Sequence, residues 1–254
     1  MRIGRIQDRD GGPPIDVVIE GDVAFRMTGS PFGSVQKGEE LGPVANVSLL
    51  PPLAPGKIVC VGLNYRAHVT ENDPTRQIPD EPVIFMKPPS ALIGHGDTII
   101  IANPGNRTDY EAELAVVIGK ETRSVSESSA RDYVLGFTCG NDVSDRVLQK
   151  KDGQWVRAKG FDTYCPLGPW IETDLDIDSA VVSSAVNGVE RQSQGVSTML
   201  FPVPFLISFI SGIMTLHPGD VIMTGTPEGV GPLHAGDTVV VSVTGIGSLS
   251  NTVQ

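Results

Sequence analysis

The chain reads as mainly β with few helices, an α+β fold. Three observations predict it. The 254 residues hold 29 glycines and 20 prolines, more turn-formers than an average globular chain but fewer than a disordered one. Apolar runs are short and separated by turn residues, as in Val17-Val18-Ile19 and Val23-Ala24-Phe25. Only two stretches read as convincing helices, and strands do not alternate with helices as in a doubly wound sheet.

Residues 1–56 read as a small N-terminal β domain and linker, closing in Leu49-Leu50-Pro51-Pro52-Leu53-Ala54-Pro55-Gly56. Residues 57–254 form the main domain. Lys57-Ile58-Val59-Cys60-Val61-Gly62 opens it as a buried strand, followed by a polar, partly helical stretch to Glu71 and a proline-rich loop. Strands are expected at 83–86, 98–102, 111–118, 134–139, 170–171, 181–187, 220–223 and 238–243. One helix is expected at 127–133, with serines available as N-caps, and one at about 203–214. Residues 192–219 carry no formal charge, but the apolar part is shorter than a membrane span and holds Pro202 and Pro204, so it reads as a buried core helix.

Acids outnumber bases 30 to 19, a net charge of −11. Such a chain binds nucleic-acid backbones and anionic lipid poorly. Three cysteines without a C-x-x-C spacing exclude a disulfide framework or zinc ribbon and read as buried thiols in a reducing compartment. The N-terminus is charged throughout and shows no signal peptide. A soluble cytoplasmic protein is expected, with no nucleic acid or membrane as partner.

Glu111 and Glu113 lie two apart in a strand-like run, so their carboxylates share a face. Adjacent carboxylates repel unless a proton or cation intervenes. An exposed strand with acids facing water would look the same. Asp142, at the end of an apolar strand, favours a site. Three carboxylates without a His or Cys cluster point to Mg²⁺ or Mn²⁺ rather than zinc. His68 and Glu71 are spaced to share a helix face, where the carboxylate fixes the imidazole tautomer and makes a general base; a loop histidine beside a surface glutamate is the plainer alternative. Lys159 can stabilise a developing oxyanion or simply be solvated. Residues 224–232, a Gly/Pro loop after a buried strand, can offer donors to an anion or form an ordinary turn.

Together these segments resemble the fumarylacetoacetate hydrolase family. The resemblance runs through Gly62-Leu63-Asn64-Tyr65 with His68 and Glu71, Phe85-Met86-Lys87-Pro88, the 111–119 strand, Gly140-Asn141-Asp142-Val143-Ser144, the 153–169 segment, Pro218-Gly219-Asp220 and Thr224-Gly225-Thr226-Pro227. It implies a mixed β-roll and a homodimer, with Mg²⁺ or Mn²⁺ on Glu111, Glu113 and Asp142. His68 and Glu71 become a lid-borne dyad, and Lys159 orients water or an oxyanion. Thr226 would meet the substrate carboxylate, with Lys87, Arg146 and Gln149 near the site. Asp145 and Val147 depart from the family pattern around Arg146.

The activity implied is divalent-metal-dependent C–C cleavage of a 2-oxo acid through an enolate. Hydrolysis of an acylpyruvate-type substrate in aromatic-compound catabolism comes first. Oxaloacetate-type decarboxylation and hydroxymuconate-pathway isomerisation are the alternatives. A non-catalytic protein with a structural cation would need the three acids but not His68, Glu71 or Lys159. A metal oxygenase would need histidine ligands, yet His68, His95, His217 and His234 are scattered.

Overall fold

Short β-branched runs between turns pair into three sheets among the described residues, because each run must satisfy its backbone groups on a neighbour. The computed structural model describes residues 1–8, 11–71 and 73–254. Arg9 and Asp10 of the charged N-terminal stretch, and Asn72, which follows Glu71 in sequence, lie outside them.

The large sheet runs in the order Val35–Pro43, Val23–Gly29, Ile15–Glu20, Arg2–Ile6, Cys165–Glu172, Val134–Asn141, Ala112–Ile118, Val221–Met223, Ile58–Gly62 and Val83–Lys87. Leu92–Ile93 joins it in parallel beside Cys165–Glu172. The N-terminal strands continue this sheet, since Arg2 pairs with Glu172 and Ile3 with Ile171. A second sheet runs Val189–Gly195, Val181–Val186, Thr238–Val243, Gly247–Val253 and Thr98–Ile99. A small third sheet joins Ser144–Asp145, Thr108–Tyr110 and Gly231–Pro232.

The Ala112–Ile118 strand is buried on both faces. Its alternation places Ala112, Leu114, Val116 and Ile118 against Val182, Val241 and the Val203–Ile213 helix. Ala115 and Val117 face Ile58, Cys60, Leu167 and Met223 on the other side. The helix buries Leu206, Ile207 and Ile210 completely, each such side chain contributing about 1.5–3 kcal/mol. Among the described residues no helix is long and apolar enough to cross a membrane. All three cysteines are free and buried.

Several local expectations change. Residues 127–133 form a 3₁₀ helix, and the Ser126 hydroxyl bonds those of Ser128 and Ser129 instead of capping the helix. The strand expected at 170–171 extends over Cys165–Glu172; Pro166 and Pro169 hide it from a reading that treats proline as a strand breaker. The strand expected at 98–102 shortens to Thr98–Ile99, because the Ile100 N–H donates to the Thr163 hydroxyl. Arg146–Asp152 and Val156–Lys159 are additional short helices, and both reach the site.

Candidate active site

Three carboxylates meet where the chain crosses between sheets. Thr108–Tyr110 belongs to the small sheet and Ala112–Ile118 to the large one, so Glu111 occupies the crossover rather than a continuous ladder. Register pairs Ala112 with Asn141 and Glu113 with Gly140, which carries Asp142 to Glu111. The Asp142 N–H donates to the Glu111 carbonyl at 2.9 Å, and the Asn141 side-chain carbonyl accepts the Glu111 N–H at 2.9 Å. One oxygen from each of Glu111, Glu113 and Asp142 lies within 4.8 Å of the other two.

All three are buried. Burial, then the charges of Asp142 and Glu111, push the Glu113 carboxyl well above the usual carboxylate range. Burial also opposes ionisation of Glu111, but Lys159 and then Arg146 outweigh it and hold Glu111 well below that range. Asp142 Oδ1 is ion-paired with Lys87 Nζ at 2.7 Å, though that contact is not directed as a hydrogen bond. An all-oxygen donor set of three carboxylates fits Mg²⁺ or Mn²⁺ and leaves about three octahedral positions for other ligands. Among the described residues no such cluster includes a histidine.

Cationic side chains surround the triad. Lys159 Nζ donates to Glu111 Oε2 at 2.9 Å, Asp142 Oδ2 at 2.6 Å and the Ser144 hydroxyl at 2.8 Å. It also lies 4.9 Å from the centre of the Phe85 ring and 5.9 Å from that of Trp155. Burial disfavours its charge, but Asp142 and Glu111 outweigh this and raise its pKa. Lys87 Nζ, fully buried, donates to the carbonyls of Val143 and Lys159 and sits behind the triad rather than on the cavity wall.

Arg146 opens a helix because Asp145 caps it, Oδ1 accepting the N–H groups of Val147 and Leu148 at 3.0 Å each. From there Arg146 Nε donates to Asp109 at 2.8 Å, while Nη1 donates to Gln149 Oε1 at 2.9 Å and lies 2.6 Å from Glu111 Oε1. Arg107 grips Asp109 from the other side with two bonds of 2.7 and 3.0 Å.

His68 lies on the Arg66–Thr70 helix, its Nδ1 3.1 Å from Glu71 Oε2. Burial works against ionisation of Glu71, but the His68 bond and the Gly229 N–H outweigh it and lower its pKa. An ionised carboxylate only accepts, so Nδ1 carries the proton and Nε2 is the free basic nitrogen. Glu71 Oε1 accepts the Gly229 N–H at 2.8 Å. Gly229 has φ +94°, and a Cβ there would come within 2.2 Å of the Arg191 carbonyl oxygen, so glycine is required.

One cavity of about 590 Å³ collects His68, Glu111, Arg146, Gln149, Lys159 and Thr226. Glu113, Asp142 and Lys87 lie beneath its floor, and Glu71 holds His68 from the side. Arg76, Arg107, Asp109, Lys150 and Trp155 also line the wall and were not singled out as site residues from the sequence. Asp109 had a signal, since Asp109, Glu111 and Glu113 form an i, i+2, i+4 series of acids. Gln192, which touches Thr226, had none, because it comes from a strand distant in sequence.

A buried carboxylate triad beside a carboxylate-oriented imidazole, on mixed β-sheets, defines the class as an enzyme site able to hold a divalent cation. Residues 57–254 match the model described as fumarylacetoacetate (FAA) hydrolase C-terminal, and residues 1–52 match the one described as Rv2993c-like, N-terminal. The chain is an enzyme of the fumarylacetoacetate hydrolase family. A crystal structure of 2-hydroxyhepta-2,4-diene-1,7-dioate isomerase from Mycobacterium marinum superimposes with TM-score 0.89 at 44% identity, over 100% of this chain and 98% of that one. The mitochondrial oxaloacetate tautomerase FAHD1 of Arabidopsis thaliana is 44% identical over 204 residues, 78% of this chain and 91% of that protein. Maleylpyruvate hydrolase from Sphingobium sp. SYK-6 gives TM-score 0.82 at 31% identity, over 100% of this chain and 99% of that one.

Proposed function

We propose that the protein moves a proton on a small 2-oxo acid in a reaction of the tautomerase or isomerase type that uses Mg²⁺ or Mn²⁺. The observation that carries the reading is that one cavity is lined by the carboxylate-oriented His68 and by Glu111, whose carboxylate clusters with those of Glu113 and Asp142. A cation held by those three acids supplies a Lewis acid and a template for the substrate's carboxylate and 2-carbonyl.

The chain's own groups do the rest. The Thr226 hydroxyl donates to the substrate carboxylate. Lys159 and Arg146 offset the negative charge that the acids and an anionic substrate bring together. His68 Nε2 takes a proton from the carbon next to the carbonyl and returns it elsewhere on the substrate, while Glu71 stabilises the imidazolium. Trp155 lines the wall beside Gly62.

Hydrolysis of an acylpyruvate is the second reading, because the same imidazole can deprotonate water instead of carbon. Proton transfer comes first because the isomerase and tautomerase are 44% identical to this chain and the hydrolase 31%. A panel of oxaloacetate, acetylpyruvate, fumarylpyruvate and a carboxymethyl-hydroxymuconate, with Mg²⁺ or Mn²⁺, separates the outcomes. Tautomerisation or isomerisation without carbon–carbon cleavage is expected. Cleavage of acetylpyruvate or fumarylpyruvate as the fastest reaction would put hydrolysis first, and inertness toward all four would remove both readings.

A further inference from the structure

Gln192 lies on the Val189–Gly195 strand, where it is buried between exposed neighbours. Its amide makes four hydrogen bonds. Oε1 accepts the Ala112 N–H at 3.1 Å and the Ser184 hydroxyl at 2.9 Å. Nε2 donates to Thr226 Oγ1 at 2.8 Å and to the Pro227 carbonyl at 2.8 Å. The orientation of this amide is not free. A backbone N–H only donates and a carbonyl only accepts, so the oxygen must face Ala112 and the nitrogen must face Pro227. The nitrogen therefore also faces Thr226.

A consequence follows for Thr226. Its oxygen is obliged to accept from Gln192, so its own proton is directed elsewhere. No other protein group among the described residues accepts that proton, and Thr226 lines the cavity. We infer that Gln192 is a positioning residue that fixes Thr226 as a hydrogen-bond donor toward the cavity, and so selects substrates that place an acceptor, a carboxylate oxygen, at that point. Ala112 lies between Glu111 and Glu113, so the same amide ties the segment bearing two of the acids to the loop bearing the donor. A threonine with an unconstrained rotor presents its proton or either lone pair; here Gln192 holds one lone pair and no protein acceptor among the described residues draws the proton away from the cavity, which favours the donor role.

The inference rests on the proposed 2-oxo acid substrate, and its test separates the two. Steady-state kinetics in Mn²⁺ are compared for wild type, Gln192→Leu, Thr226→Val, Thr226→Ser and the double variants, with the Kd of oxalate measured by calorimetry on the same proteins. Gln192→Leu is expected to raise KM and the oxalate Kd about tenfold, the size of one lost hydrogen bond to a charged group, with kcat changed less than about threefold. On Thr226→Val the same change adds less than about twofold, and on Thr226→Ser it again costs about tenfold. Equal effects on all three backgrounds would show a purely structural role and overturn the inference. If Gln192→Leu does not fold, Gln192→Asn, one methylene too short to span both ends, takes its place in the cycle. A wild type that binds oxalate but turns over no 2-oxo acid would remove the proposed activity alone, and the cycle is then read from Kd.

Discussion

Glu71 accepts the backbone N–H of Gly229 at 2.8 Å with one oxygen while its other oxygen lies 3.1 Å from His68 Nδ1. The carboxylate is thus a latch as well as an orienting group. It ties the helix that carries the base to the Gly/Pro loop that carries Thr226. The Tyr110 hydroxyl donates to the Gly229 carbonyl at 2.9 Å, so that peptide is held from both sides.

Glu71→Gln keeps the shape but removes the charge that stabilises the imidazolium. Turnover should fall about 10²-fold, within the usual range for general-base catalysis, with Mn²⁺ affinity unchanged by calorimetry. The pH dependence has a definite sign. Because the folded-state pKa of Glu71 is lowered, its stabilising contribution is complete above the ordinary glutamate range and disappears as pH falls through the lowered value. Wild type and Glu71→Gln should therefore differ in denaturation midpoint by a constant amount at neutral pH and converge in acid. A gap that widens in acid would contradict this.

Glu113→Gln should separate stability from function. Burial and the charges of Asp142 and Glu111 disfavour the ionised form, and an amide oxygen can still accept the Gly225 N–H that Glu113 Oε2 holds at 2.7 Å. In metal-free buffer the variant should melt at or above the wild-type temperature, as expected where a site is built at the expense of stability. Mn²⁺ affinity should fall at least about tenfold. A variant that binds Mn²⁺ like wild type would remove Glu113 from the ligand set.

Asp145→Ala tests the positioning of Arg146. It removes an N-cap, costing about 0.5–2 kcal/mol, and it removes the acceptor of the Asn103 and Asn106 side chains, at 3.0 and 2.8 Å. Urea denaturation should show a loss at the upper end of that range. KM should also rise, because the first turn that aims Arg146 at Glu111 and Asp109 loosens.

Gly62→Ala tests the cavity wall. A Cβ at position 62 would stand 2.5 Å from the Trp155 ring, so the indole must move, at a cost of about 1–3 kcal/mol for overpacking. Trp155 faces Lys159 and packs edge-on against Phe85 at 5.2 Å. The measurable outcome is a lower kcat/KM together with a shifted tryptophan emission maximum.

The sequence was informative where chemistry follows local spacing. Glu111, Glu113, His68 and Glu71 could be grouped from i, i+2 and i, i+3 intervals, and the Val203–Ile213 helix from an uncharged apolar run. The mixed β architecture followed from turn density and the lack of βαβ alternation. What escaped depended on contacts between distant segments or on overlooked capping. Gln192 meets Thr226 only because the second sheet packs beside the loop that follows Met223. The Arg146–Asp152 helix starts from Asp145, which in sequence looked like a departure from a family pattern and in the fold is its cap. Glu111 looked like a strand residue, yet it sits at a change of sheet, where the chain can turn its carboxylate toward Asp142.

Whether His68 acts as the base beside a metal-holding triad is decided by the His68→Ala protein, compared with wild type for Mn²⁺ binding by calorimetry and for 2-oxo acid turnover with Mn²⁺ and with a chelator. Wild-type turnover should vanish with the chelator. The His68→Ala protein should bind Mn²⁺ as wild type does and be at least about 10²-fold slower. Turnover that survives the chelator, or that is unchanged by His68→Ala, would contradict that role.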